Sequence, residues 1–346
     1  MRLHRRSAIR PGGQKWALRS SSTSVATEPK PSVTESSPDR ASQRPKFRHR
    51  VEYWAALGVL RILGILPRRL ARAVCEVLAL GSYYCWPRLR RVGLFNLRLA
   101  FPDWQDRERR RVLSRAFRNL GRMLADFASF PKLVRANIER LIVYDGFEHF
   151  ARAQAQDKGV IFLTAHFGNW ELSSFAHSLY GHPLNFTVRA MDNPLLDALI
   201  TRYRSLSGGR PVDKNDFARR ALQALKQGEA VGVLTDTNML PAEGVFVDLF
   251  GHLACTTTAP ARLARKTGAG LVLGLAIWDA NLGRYRLRFE PVDWIAHDEA
   301  EEEIRLNTAH FTRLIEDNIR RYPDQWLWVH RRWKTRPTGE PPLYPF

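Results

Sequence analysis

The residue types that stand out for chemistry sit in one short run, His166-Phe167-Gly168-Asn169-Trp170-Glu171. An imidazole is the best available general base near neutral pH. A carboxylate five residues later, across a turn and into a first helical turn, can return to the imidazole's second nitrogen. There it would fix the tautomer and stabilise the imidazolium. His166 and Glu171 are therefore the candidate catalytic pair. Gly168 would let backbone approach a substrate closely. Amides at the helix start would face a developing oxyanion.

Such a pair needs elements that hold it. Val160–Ala165 is a short apolar run that reads as a buried strand, so His166 falls at a strand's C-terminal end, where open α/β sheets gather their active groups. Further runs at 184–188, 230–235 and 271–277 read the same way, and 285–289 alternates with Arg as a half-exposed strand. Helical patterns lie between them near 194–206, 215–227, 258–268 and 299–321. Strands alternating with helices predict an α/β fold, a central mixed sheet flanked by helices, over residues 136–340. Arg189, just after the strand at 184–188, is a candidate phosphate ligand.

The N-terminal third reads differently. Residues 1–50 hold 12 Lys and Arg against 3 Asp and Glu, with many Ser and Pro and no apolar period. That composition predicts a disordered basic tail over 1–48. It has no apolar core of a secretory signal. Two apolar stretches follow, 53–66 and 71–86, each interrupted by charge and shorter than the roughly 18 apolar residues of a spanning helix. They predict an N-terminal helical membrane anchor of interfacial or re-entrant type within a helical region at 49–135, with Arg68, Arg69, Arg88, Arg90 and Arg91 at lipid phosphates. A pair of buried core helices is the alternative. From 106 to 127, Leu113, Phe117, Leu120, Leu124 and Phe127 form one helical stripe, opposite Arg111, Arg115, Arg118 and Arg122.

The charge balance agrees with an anionic partner. Lys and Arg number 54 against 34 Asp and Glu, a net +20. Ten Trp beside so many Arg favour an interface. The three cysteines make no C-x-x-C pair, so neither a disulfide scaffold nor a zinc knuckle is indicated. There is no G-x-S-x-G elbow, Walker A or G-x-G-x-x-G motif. General-base chemistry at His166 would call for no cofactor and no metal. The Trp-rich segment 326–333 has the composition of a nucleic-acid stacking site.

H-x4-E after a strand resembles the H-x4-D/E motif of the lysophospholipid acyltransferase superfamily. The run Asp324-Gln325-Trp326-Leu327-Trp328-Val329-His330-Arg331-Arg332-Trp333-Lys334-Thr335-Arg336-Pro337 resembles the C-terminal signature of bacterial lipid A late acyltransferases. Asn96-Leu97-Arg98-Leu99-Ala100-Phe101-Pro102 fits the same family's N-terminal region. The resemblance covers about 51–340. It implies transfer of a fatty acyl group from acyl carrier protein, or from acyl-CoA, to a hydroxyl of an anionic glycolipid such as a lipid A precursor, at the cytoplasmic face of the cell inner membrane. For segment 326–333 it implies a packed C-terminal element near acidic lipid, without nucleic acid as partner. It carries two more residues into the substrate site. Arg204 suits a lipid phosphate or developing negative charge, and Asp236 would orient Arg204 or the catalytic cluster. The alternatives are a lysophospholipid or mannosylated-lipid acyltransferase using acyl-CoA, and a non-catalytic basic protein that binds membranes or nucleic acid.

Overall fold

The computed structural model describes residues 45–346. The tail expected over 1–48 lies almost wholly outside the described residues, and Phe47 and Arg48 already belong to the first helix.

Prolines punctuate the helical third. Helix α1 (Phe47–Ile65) ends just before Pro67, α2 (Arg68–Cys85) starts after it, α3 (Pro87–Ala100) opens on Pro87, and Pro102 precedes α4 (Asp106–Ala128). A proline suits a first helical turn, whose N–H groups have no partner, and cannot continue a helix that is ending. Asp106 and Glu108 sit at the positive end of α4. Helices α2 and α4 pack closely because Gly121 has no side chain; a Cβ there would collide with the Cys75 carbonyl.

The apolar stripe of α4 is mostly inward: Leu113, Phe117 and Phe127 are buried, while Leu124 is exposed. Arg122 departs from the expected solvated face. It turns in, pairs with Glu76 at 3.0 Å and lies 4.2 Å from the Trp278 ring centroid. The outer faces of α1 and α2 stay apolar and exposed, with Trp54, Ile62, Ile65, Val77 and Leu78 each more than 60% accessible. Their opposite faces, with Leu57, Leu60, Ala71 and Cys75, enter the core. The core-helix reading thus holds for the inner faces, while the outer faces are left uncovered among the described residues. Among the described residues, no helix is long and apolar enough to cross a membrane.

The rest is an α/β unit: β1 (Ile142–Asp145), α5 (Phe147–Gln154), β2 (Val160–Thr164), α6 (Trp170–Leu179), β3 (Leu184–Val188), α7 (Pro194–Ser205), β4 (Arg210–Asp213), α8 (Phe217–Lys226), β5 (Ala230–Leu234), β6 (Gly244–Leu249), β7 (His252–Thr257), α9 (Ala259–Thr267), β8 (Gly270–Asp279), β9 (Arg284–Pro291) and α10 (Ala300–Arg321). Seven strands form a mixed sheet in the order β1-β9-β8-β2-β5-β3-β4, and β6-β7 is a separate antiparallel hairpin. Among the described residues, only the β8–β9 pairing is antiparallel within the large sheet.

Strand alternation builds two cores. Ile161, Leu163, Val231, Val233, Leu271 and Leu273 join residues of α8, α9 and α10 on one face. Val160, Phe162, Ala230 and Val272 join residues of α1, α2, α5 and α6 on the other. The face with α6 carries the site.

Candidate active site

β2 and β5 are adjacent and parallel, in register Val160↔Ala230 through Thr164↔Leu234. The same offset carried two residues past the strand ends sets His166 opposite Asp236. Their contact is direct: His166 Nδ1 lies 2.9 Å from Asp236 Oδ1. The His166 backbone N–H donates to Asp236 Oδ2 at 2.9 Å, and the Trp326 indole N–H donates to the same oxygen at 2.8 Å. A carboxylate can only accept, so Nδ1 carries the proton and Nε2 keeps its lone pair.

This arrangement corrects the sequence reading. The carboxylate on the imidazole is Asp236. Glu171, in the first turn of α6, turns toward α7 and takes a two-pronged grip on Arg204, with Nε 2.9 Å from Oε2 and Nη2 2.5 Å from Oε1. Arg204, expected at a lipid phosphate or developing negative charge, is engaged by Glu171. Of the two expectations for Asp236, Arg204 or the catalytic cluster, the structure has it on His166.

The electrostatics follow. Burial pulls the His166 pKa down, but the charge and hydrogen bond of Asp236, helped by Glu171, outweigh it and hold it above the ordinary histidine value. Burial of Asp236 acts to raise its pKa; His166 and the Trp326 donor prevail and keep it below the usual carboxylate value. Burial of Arg204 likewise opposes its charge, and Glu171 overcomes this and raises its pKa.

The turn after β2 is clamped from three sides. Gly168 has φ +59°, and a Cβ would collide with the Ala276 carbonyl of β8. Its smallness thus serves the loop's own packing; the expected approach to a substrate is not what requires it. The Gly168 N–H donates to the Gln325 carbonyl at 2.7 Å and that of Leu327 to the His166 carbonyl at 3.0 Å, so the C-terminal segment runs beside the loop like a short strand. From α4, Asn119 donates to the Gly168 carbonyl at 2.9 Å and Asp126 accepts from the Asn169 side chain at 3.3 Å. The Asn169 oxygen caps α6 by accepting from the Leu172 N–H. With the Gly168 and Asn169 amides taken, the amides of Trp170 and Glu171 have no acceptor among the described residues, as first-turn donors usually do not.

His166, Glu171, Arg204 and Arg189 all line one cavity of about 360 Å³ between the sheet and α6. Its walls are mostly apolar: Phe162, Trp170, Leu184, Phe186, Val188 and Leu234 among them. Arg189 stands exposed at its rim, with no carboxylate partner among the described residues.

The comparisons with known proteins bear on this geometry. Residues 40–335 match the family model of bacterial lipid A biosynthesis acyltransferases. The chain belongs to this family. It is with its relatives an O-acyltransferase. It is 32% identical over 294 residues to the lipid A biosynthesis lauroyltransferase of Escherichia coli (strain K12), covering 84% of this chain and 94% of that protein. The lipid A biosynthesis palmitoleoyltransferase of the same strain is 30% identical over 296 residues, with the same coverage. The myristoyltransferase is 26% identical over 299 residues, covering 85% and 91%.

Of the acyltransferase residues that the sequence reading passed over, Trp326, Asn119 and Asp126 matter most. Trp326 was visible as part of the C-terminal signature, but its bond to Asp236 was not. The three tryptophans Trp326, Trp328 and Trp333 are buried, at 3%, 1% and 0% exposure, so the segment supports the loop after β2 from the core.

Proposed function

We propose that this acyltransferase moves a fatty acyl group from a thioester, carried by acyl carrier protein, to a hydroxyl of a lipid A precursor or related glycolipid. One observation carries the reading: His166, with Nδ1 anchored on buried Asp236, presents a free Nε2 beside an apolar cavity. The steps are these. Nε2 takes the proton of the acceptor hydroxyl, the oxygen attacks the thioester carbonyl, and the C–S bond breaks. The imidazolium returns its proton to the departing thiolate. The free Trp170 and Glu171 amides at the start of α6 suit the oxyanion of the tetrahedral intermediate. Glu171 keeps Arg204 in position and adds negative charge near the imidazolium. Arg189, unpaired at the rim, suits a phosphate of the acceptor.

The reading includes attachment to the cytoplasmic face of the inner membrane. The support is the exposed apolar outer face of α1 and α2, bordered by Arg61, Arg69 and Arg88. Large exposed apolar patches rimmed by cations suit the interface of an anionic bilayer.

The test is transfer by the purified protein from acyl carrier protein or coenzyme A thioesters to a lipid A precursor, with the product followed by mass spectrometry. His166→Ala should lose about 10²–10⁴-fold in rate. A folded His166→Ala protein with undiminished turnover would remove the general base from this account. Transfer to lysophospholipids alone would replace the acceptor.

A further inference from the structure

The inner end of the cavity is shaped by residues that take no part in the chemistry. Two of them are glycines inside central strands, Gly232 of β5 and Gly274 of β8. Strand interiors disfavour glycine, which has the most backbone freedom to lose and no side chain to pack. Neither residue has a positive φ, and neither lies in a turn. Backbone conformation therefore does not call for glycine at either position; space does. A Cβ on Gly232 would stand 3.0 Å from Cδ2 of Leu184. One on Gly274 would stand 3.0 Å from Cδ1 of Phe162 and 3.4 Å from Cε1 of Phe289. Leu184, Phe162 and Phe289 are themselves cavity wall. Gly232 is the register partner of Phe162, and parallel partners point to the same face. An added methyl would thus fill the cavity or push its walls inward.

We propose that Gly232 and Gly274 set the length of the acyl chain this enzyme transfers, by keeping the inner cavity open between α6 and strands β2, β5 and β8. The inference rests on the reading of the cavity as the acyl site. The chain enters beside His166 and runs along α6, past Ser173 and Ser174, to His177. Trp170 to His177 spans about 10 Å of helix. His177 closes the far end among Phe150, Phe162 and Phe289. Burial, then nearby His182, push its pKa down to about 3, so the end wall is uncharged near neutral pH. An apolar tube with a fixed, uncharged end discriminates by length, because a methylene that does not fit loses its burial and strains the wall.

The experiment gives the full-length enzyme octanoyl, decanoyl, dodecanoyl, tetradecanoyl and hexadecanoyl thioesters of acyl carrier protein, and of coenzyme A in parallel, with a lipid A precursor as acceptor. Gly232→Ala and Gly274→Ala should shift the preference to shorter chains. The rate of the wild-type favourite relative to the chain two carbons shorter should fall about ten-fold. Leu184→Ala should shift it to longer chains. Gly232→Ala combined with Leu184→Ala, which returns the lost volume, should move the profile back toward wild type. A uniform loss at every length, with a lowered melting temperature, would mean that the glycines serve packing only and would overturn the proposal. A wild-type preference kept unchanged by folded glycine variants would do the same. A wild-type enzyme indifferent to chain length would also overturn the reading of the cavity as the acyl site.

Discussion

At His166 the tautomer decides what the side chain can do. With Nδ1–H donated to Asp236, Nε2 is the base of the proposed mechanism, a role it can fill only when unprotonated. The His166 pKa is held above the ordinary value, chiefly by Asp236 against the pull of burial. Activity should therefore fall as pH drops through that raised pKa. Asp236→Asn removes the largest raising influence. The acid limb of kcat/KM should then move to lower pH, while the plateau drops about 10²–10⁴-fold. Glu171→Gln should lower the rate by freeing Arg204 but shift the limb much less. A limb that moves as far in Glu171→Gln as in Asp236→Asn would return Glu171 to the role of direct partner. Trp326→Phe keeps the ring and removes one donor from Asp236. Its carboxylate becomes more basic and holds the imidazolium more firmly, so the limb should move up. A rate loss without such a shift would mark Trp326 as packing alone.

Among the elements, α4 has a double task. Its Asn119 and Asp126, two turns apart, hold the loop that carries His166, while Asp126 is gripped from α2 by Arg72 at 3.0 and 2.8 Å. Asp126 is fully buried and Arg72 nearly so. Removing the cation would leave a buried charge with Arg68, 3.6 Å away, and the Asn169 side-chain amide at 3.3 Å as its side-chain partners among the described residues. Arg72→Met should destabilise the fold by about 3 kcal/mol, readable by denaturant unfolding. The same variant should lose activity, because the loop's support moves with Asp126. Unchanged stability would mean that Arg68 or solvent replaces Arg72 without loss.

For the whole molecule, the net +20 charge has a visible distribution. Arg107, Arg110, Arg111, Arg115 and Arg118 are exposed along α4 and make no ion pair among the described residues. Together with the apolar outer face of α1 and α2, they argue for recruitment by charge and retention by insertion. Pelleting with vesicles should rise with anionic lipid content. Salt should weaken it without abolishing it, since inserted side chains are not screened. Full release at moderate salt would leave attachment purely electrostatic. The cavity also bears on the order of events. Ser173 and Ser174 line it from within α6, without the turn that would activate a nucleophile. In the proposed direct transfer, donor and acceptor should meet at His166 together, giving intersecting lines in double-reciprocal plots. Parallel lines, with acyl-protein trapped from donor alone, would identify a covalent route.

Much of this was legible in the chain itself, because periodicity and punctuation are local. The run at 184–188 was read with the bounds that the strand has, and the ends of α7, α9 and α10 fell within two residues of their reading. His166 at a strand end needed only the apolar run before it. The edge strands β1 and β4, four residues each, and the β6–β7 hairpin were not legible. Four-residue strands carry too few alternations to signal a period and are paired by neighbours distant in sequence. Residues 244–249 and 252–257, six each, mix polar and apolar types without a clean alternation. The partner of His166 shows the same limit most sharply. Glu171 is near in sequence and helical geometry seemed to return it to the imidazole. Asp236 is 70 residues away and reaches His166 only through the register of two parallel strands. Likewise nothing in the sequence showed that Arg122 turns inward onto Trp278 or that Trp326 reaches Asp236. A chain fixes which residues can do chemistry through their types, whereas strand pairing and packing bring together the atoms that do it.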